Sequence, residues 1–218
     1  MLISSELKIL YAAVGCTGDT AITEVLRPWL TPSVPEDQIL APGLPGWERQ
    51  WHALGSPYSF YDEHRKQYEN KIEEGYAIFT TVRDPWERAA YVWSKPKWIH
   101  LDPEDFLTRV SATGIASQLL RPAYSICGPD PWCVLPFETL PDSWAAFCTS
   151  MDMPVLELAG LDNLKVSTDA MEQMFSAPAC NDWVLNHFAS DISMFGYTPP
   201  DVDRTLFTIL DDEDEADS

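Results

Sequence analysis

The stretch from Ile78 to Lys95, IFTTVRDPWERAAYVWSK, constrains this chain more than any other. An apolar, β-rich run from Tyr76 to Val82 ends in Arg83, and a helix start follows at once. Asp84 suits an N-cap, Pro85 the first helical position and Glu87 the acidic partner of a capping box. This order puts Arg83 at the carboxyl end of a strand, beside a helix N-terminus. In open α/β sheets anionic ligands collect at that place, because backbone N–H groups and the helix dipole point there. A nucleotide or phosphate site is the expectation, with the ligand left open.

Other elements group around this one. Lys8 to Val14 reads as a buried strand, followed by the turn Gly15-Cys16-Thr17-Gly18-Asp19-Thr20 and a helix from Ala21 to Arg27 that Pro28 ends. Proline and glycine make 31–46 irregular. Tyr58 to Glu74 reads as partly helical, and Pro96 closes the helix that starts at Pro85. Helical patterns follow at Pro103 to Val110 and Ile115 to Leu120, then a strand at Trp132 to Phe137 and a helix at Ser143 to Met151. Thr168 to Phe195 is mostly helical and is expected to pack across one end. Strands alternating with helices indicate an α/β sandwich with a mainly parallel sheet. One domain over 1–200 and an acidic tail over 201–218 is the expected organisation.

With 34 acidic and 14 basic residues the net charge is −20. That balance argues against general binding to nucleic acid or to an anionic membrane. Part of it is the tail from Asp211 to Asp217, read as disordered, and the rest as a solvated acidic surface. An anionic cofactor would then need a local positive pocket, which makes each arginine informative. No run of about 18 apolar residues is present, so no transmembrane helix is expected. The N-terminal segment lacks a basic region before its short apolar stretch and reads as a first core strand, giving a cytoplasmic expectation. The five cysteines (16, 127, 133, 148 and 180) show neither CxxC nor metal-ligand spacing and read as reduced, mostly buried thiols. Cys127 and Cys133 are close enough in sequence to approach across a turn. The four histidines show no ligand pattern either, so no metal is expected.

The first strand–turn–helix has the layout of a phosphate-binding loop, since small residues let backbone N–H groups face an anion. It is not a Walker A sequence, because the G-x-x-x-x-G-K-[ST] order is absent. Together with the Arg83 segment, the chain resembles the sulfotransferase family, particularly its carbohydrate branch that includes the heparan sulfate 2-O-enzymes. VGCTGDTA (Val14 to Ala21) lies where that family has a VPKTAGTS-like element, and VRDPWER (Val82 to Arg88) is similar to its VRNPWDR. Fainter similarities follow in order: Trp51-His52, Leu120-Arg121-Pro122, Pro136 to Leu140, Asp162-Asn163, and Ser190 to Tyr197 against a closing DxxxFGY.

The resemblance implies a P-loop-like three-layer sandwich with a helical C-terminal part. It also implies 3′-phosphoadenosine 5′-phosphosulfate (PAPS) as cofactor and sulfuryl donor, and a hydroxyl acceptor on a saccharide or small metabolite. Arg83 would take the 3′-phosphate, a task suited to a guanidinium fork. Tyr91 stands where the family has a serine, and Ser94 lies one turn later. Thr17, Gly18 and Thr20 would line the loop, and His52 would be the base, since neutral imidazole acts near neutral pH. Glu138 and Glu24 are alternative bases.

The loop departs from the family pattern at two positions. Cys16 replaces its lysine, a loss on the order of 3 kcal/mol of transition-state stabilisation. Asp19 replaces a glycine, and a carboxylate about 4 Å from the phosphosulfate would add roughly 4 kcal/mol of repulsion at an effective dielectric near 20. Asp19 can instead cap the first helix. Arg88 is expected to pair with Asp84 at i−4. The tryptophans Trp47, Trp51, Trp86, Trp93 and Trp98 gather around the two segments, with core packing as their expected role. The competing reading is a sulfotransferase-fold binding or structural module without catalysis.

Overall fold

The computed structural model describes residues 2–29, 61–112 and 119–200. The expectations at His52, at Trp47 and Trp51, over 31–46, over most of 115–120 and for the tail at 201–218 lie outside them.

Four strands form one sheet in the order β1-β2-β3-β4: β1 (Leu2–Ser4), β2 (Ile9–Ala12), β3 (Ala77–Val82) and β4 (Cys133–Pro136). β1 runs antiparallel to β2, with Leu2 opposite Tyr11 and Ser4 opposite Ile9. β2, β3 and β4 are parallel, pairing Leu10 with Ile78 and Thr80 with Val134. The expected single N-terminal strand is therefore a hairpin. Its turn is held by Leu7 N–H donating to Ser4 Oγ at 3.2 Å, and Lys8 turns in the left-handed region at φ 53°.

Alternation along the strands divides the core. On one face Ile9, Tyr11, Phe79 and Leu135 pack against Ile22 and Leu26 of α1 (Asp19–Leu26) and Trp144 and Phe147 of α6 (Leu140–Ser150). On the other, Ala12, Val14 and Val82 meet Ala123, Ile126 and Cys127 around the short α5 (Tyr124–Cys127). α2 (Tyr61–Glu73) packs beside α5. Helices thus flank both faces of a mostly parallel sheet, an α/β architecture in three layers. Pro28 does not stop the chain's coiling abruptly, because Arg27–Trp29 continues α1 as a 3₁₀ turn.

A second core grows from the helix after β3. α3 (Pro85–Trp93) starts as its sequence indicates, with Pro85 in the first turn and Asp84 Oδ1 accepting from Trp86 N–H at 2.8 Å and Glu87 N–H at 3.0 Å. Trp86, Ala90 and Trp93 face Phe106 of α4 (Pro103–Ala112), Met174 of α7 (Thr168–Phe175) and Val184 of α8 (Pro178–His187). The wholly buried Trp86 also donates its Nε1–H to Asn181 Oδ1 at 2.7 Å, tying α3 to α8. α9 (Ala189–Phe195) closes the described chain, ending on Gly196 at φ 72°. No described helix is long and apolar enough to cross a membrane.

Replacing Trp86 with Phe removes the indole donor and part of a filled volume. It should lower the unfolding free energy by about 2 kcal/mol in urea titration. A change below about 0.5 kcal/mol would show that the helical core does not hang on this side chain.

Candidate functional site

β2 and β3 deliver their carboxyl ends side by side, and the loop after β2 meets the start of α3 there. Within that loop Cys16 (φ 65°) and Gly18 (φ 87°) both adopt left-handed backbone. Gly18 is the N-cap of α1 and must be glycine for two reasons. Its φ disfavours a side chain, and a Cβ would stand 2.5 Å from Leu140 Cδ2. The added atom would point into packed core, so this glycine shapes the turn.

Thr17 differs from its expected role. It is fully buried, and its hydroxyl donates to Val14 C=O at 2.6 Å. The proton in its 2.6 Å contact with Thr81 Oγ1 therefore comes from Thr81, and that of the 2.8 Å Tyr11–Thr81 contact from Tyr11. This relay of hydroxyls closes the turn onto β3, so Thr17 has no proton for a phosphate. Thr20, exposed in the first turn of α1, remains accessible. Asp19 is not the N-cap. It lies inside the first turn, where its charge suits the helix dipole.

Arg83 sits at the strand end as expected, but its side chain is fully buried and already engaged. Its Nη2 and Nε donate to Glu87 Oε2 at 3.1 and 3.3 Å, and Nη1 to Cys16 C=O at 3.4 Å. The guanidinium lies between the rings of Phe137 and Tyr91, 4.4 and 5.3 Å from their centroids. Glu87 thus pairs with Arg83. The acceptor of Asp84 N–H is Glu138 Oε1, at 2.7 Å, in place of the capping-box glutamate.

Arg88 also departs from expectation. Its Nε donates to Gly15 C=O at 2.8 Å and Nη2 to Leu119 C=O at 2.6 Å, while Asp84 Oδ1 caps α3. The position is 2 % exposed, and an arginine reaches that depth because backbone carbonyls satisfy its fork. Ser94 serves as C-cap of α3, its Oγ–H donating to Tyr91 C=O at 2.9 Å. Tyr91 presents its ring to Arg83 and to Lys95, whose Nζ stands 3.4 Å from the ring centroid. The sequence reading did not single out Lys95, though its i, i+4 spacing from Tyr91 is a visible signal of this contact.

Burial raises the Cys16 thiol to about 11, with help from Asp19 and against the pull of Arg88, Arg83 and Lys95. At neutral pH it is therefore a thiol and no nucleophile. All five cysteines are free, Cys127 and Cys133 among them. Burial is also the main cause that lifts Asp84 to about 6, aided by Glu87 and Glu138 and opposed by the two capping bonds. Nearby, buried Asp191 (Oδ2 and Oδ1) accepts from Ala123 N–H at 2.7 Å and Tyr124 N–H at 2.9 Å. The C-terminal segment resembling DxxxFGY thereby clasps the residues after Leu120-Arg121-Pro122. Tyr197 is raised by burial first and then by Glu138, Asp84 and Asp191. Glu24, an alternative base, is paired with Arg27 at 2.6 Å.

Among the described residues no group of three His, Cys, Asp or Glu side chains could hold a metal ion. Compared with family models, curated proteins and solved structures, the chain gives no match.

Two measurements test this arrangement. Arg88→Met orphans the buried carbonyl of Gly15 and the part-buried one of Leu119 and should cost roughly 3 kcal/mol of stability in urea unfolding; a near-neutral result would remove Arg88 as the anchor of the loop. For Asp84 the folded carboxyl binds its proton more tightly than the unfolded one, so its contribution to stability falls as pH rises from about 4 to about 6. Wild type should lose stability relative to Asp84→Asn over that window, measured as the difference between their unfolding free energies at each pH. A constant difference would contradict the raised carboxyl.

Proposed function

We propose that this chain is a sulfotransferase-like protein on a P-loop-like fold, transferring a sulfuryl group from PAPS to a hydroxyl of a saccharide or small metabolite. The observation that carries the reading is the meeting of the first loop with VRDPWER at the ends of adjacent parallel strands, closed by the Arg83–Cys16 and Arg88–Gly15 hydrogen bonds. Those are the two segments in which the chain resembles that family, and they lie where α/β sheets bind ligands.

The residues fit such a donor in part. Arg83 offers a guanidinium fork once Glu87, whose side chain is 39 % exposed, swings to solvent. Thr20 and Lys95 add a hydroxyl and an ammonium near the loop, whereas Thr17 is committed to Val14. PAPS supplies the sulfuryl group and leaves as 3′-phosphoadenosine 5′-phosphate. The protein's part is to position the donor and offset charge on the departing phosphate. Removal of the acceptor's proton falls to His52 or to Glu138. Glu138 is exposed at the end of β4, and its Oε1 is oriented by Asp84 N–H.

A second reading, a binding or structural module without turnover, is favoured by two contacts. Arg83 is neutralised by Glu87 and Thr17 is hydrogen-bonded internally, so neither stands ready for an anion.

Calorimetric titration with 3′-phosphoadenosine 5′-phosphate decides whether the nucleotide binds. Binding is expected, with Arg83→Ala weakening it at least about tenfold, the scale of one charge-assisted contact. Absence of binding would overturn the sulfuryl-donor reading. Binding without transfer of labelled sulfate from PAPS to saccharide acceptors would select the inactive module.

A further inference from the structure

The ion pair between Arg83 and Glu87 leaves part of the guanidinium's binding capacity unused. Nε–H and Nη2–H form the side-on fork of an arginine, which two oxygens of one anion fill with parallel bonds. Here both donate to a single atom, Glu87 Oε2, at 3.3 and 3.1 Å. Charge-assisted N–H···O bonds draw in to about 2.7–2.9 Å, so this contact is a loose one. Among the described residues Glu87 Oε1 accepts no hydrogen bond, and the side chain is 39 % exposed.

Arg83 does not depend on Glu87 for its position. The ring centroids of Phe137 and Tyr91 lie 4.4 and 5.3 Å from the guanidinium carbon, and Nη1–H donates to Cys16 C=O at 3.4 Å. These contacts come from three separate segments: the residues after β4, α3 and the first loop. Aromatic faces orient a cation without neutralising it, so the fork still needs a negative charge. Glu87 supplies one from the first turn of α3, at the i, i+4 spacing that lets such side chains meet. The cation is thus fixed by the core, whereas its counter-charge is half in solvent.

We propose that Glu87 is a tethered competitor, its carboxylate autoinhibiting Arg83 by filling the place that a phosphate-type oxyanion takes. That an external oxyanion arrives there rests on the sulfuryl-donor reading; the loose hold of Glu87 on the fork does not. A buried guanidinium without a counter-charge is costly, so Glu87 fills the fork until a ligand replaces it. A phosphate monoester brings two oxygens and a second charge, and it gains the bonds that Glu87 leaves unmade. Chloride offers one point contact and cannot displace the carboxylate. The exchange therefore selects for multidentate anions.

Pyrophosphate and 3′-phosphoadenosine 5′-phosphate make the test, titrated calorimetrically into wild type, Glu87→Ala and the isosteric Glu87→Gln. Both variants should bind each ligand more tightly than wild type, Glu87→Ala by at least about tenfold. Adding Arg83→Met to Glu87→Ala should abolish the gain. Glu24→Gln removes one negative charge from α1 and should stay within about twofold of wild type, since exposed charges are screened. A gain that survives the loss of Arg83, or that Glu24→Gln reproduces, overturns the proposal. Nucleotide binding that both Glu87 variants leave unchanged overturns it too, while sparing the sulfuryl-donor reading. Tighter pyrophosphate binding with no nucleotide binding by any chain would uphold the competitor while sinking that reading. No binding of either ligand by any chain overturns both.

Discussion

The buried guanidinium of Arg88 is the interaction on which the rest of this structure turns. One side chain joins the loop after β2, the residues before α5 and the helix that follows β3. A charge at that depth is tolerated because carbonyl oxygens satisfy the fork and the Phe188 ring lies 5.6 Å from it. Asp191 contributes opposite charge across a longer gap. Two separate cores, one on the sheet and one among the helices around Trp86, are thereby registered against each other. The relative position of the first loop and Arg83 is a by-product of this anchoring.

Much of the fold was legible because local signals agreed with one another. The Asp84–Pro85 start, the β-branched run before it and the small residues after β2 each indicate a boundary that the structure keeps. The alternation of strand and helix likewise identifies the parallel sheet. The β1–β2 hairpin was not legible, because a three-residue strand gives too short a period to separate from its neighbour. The short α5 was hidden for a related reason: its N-terminal N–H groups are satisfied by Asp191, 67 and 68 residues away in sequence.

The site was less legible than the fold. A residue type at a strand end indicates what an arginine can do, but its donors are assigned by tertiary partners. Arg83 found Glu87, one helical turn along, and Arg88 found carbonyls in place of Asp84. Thr17 carries the same lesson in neutral form, since a hydroxyl in a tight turn is offered the nearest carbonyl before any ligand arrives. Lys95 escaped notice because a lysine after a helix end reads as solvent-facing until the ring beneath it is seen.

The placement of the cations inside an acidic protein has a kinetic consequence. From afar, a small anion meets the field of a body with net charge −20, and it is repelled. Close to the Tyr91 ring the ammonium of Lys95 adds a local positive charge. Salt at physiological strength screens beyond a Debye length of about 8 Å and touches the short contact much less. Ionic strength therefore acts on arrival and on residence with opposite signs, hastening the first while loosening the second. A cation set in such a field favours ions that can commit several oxygens at close range over diffuse counter-ions that respond to the distant field.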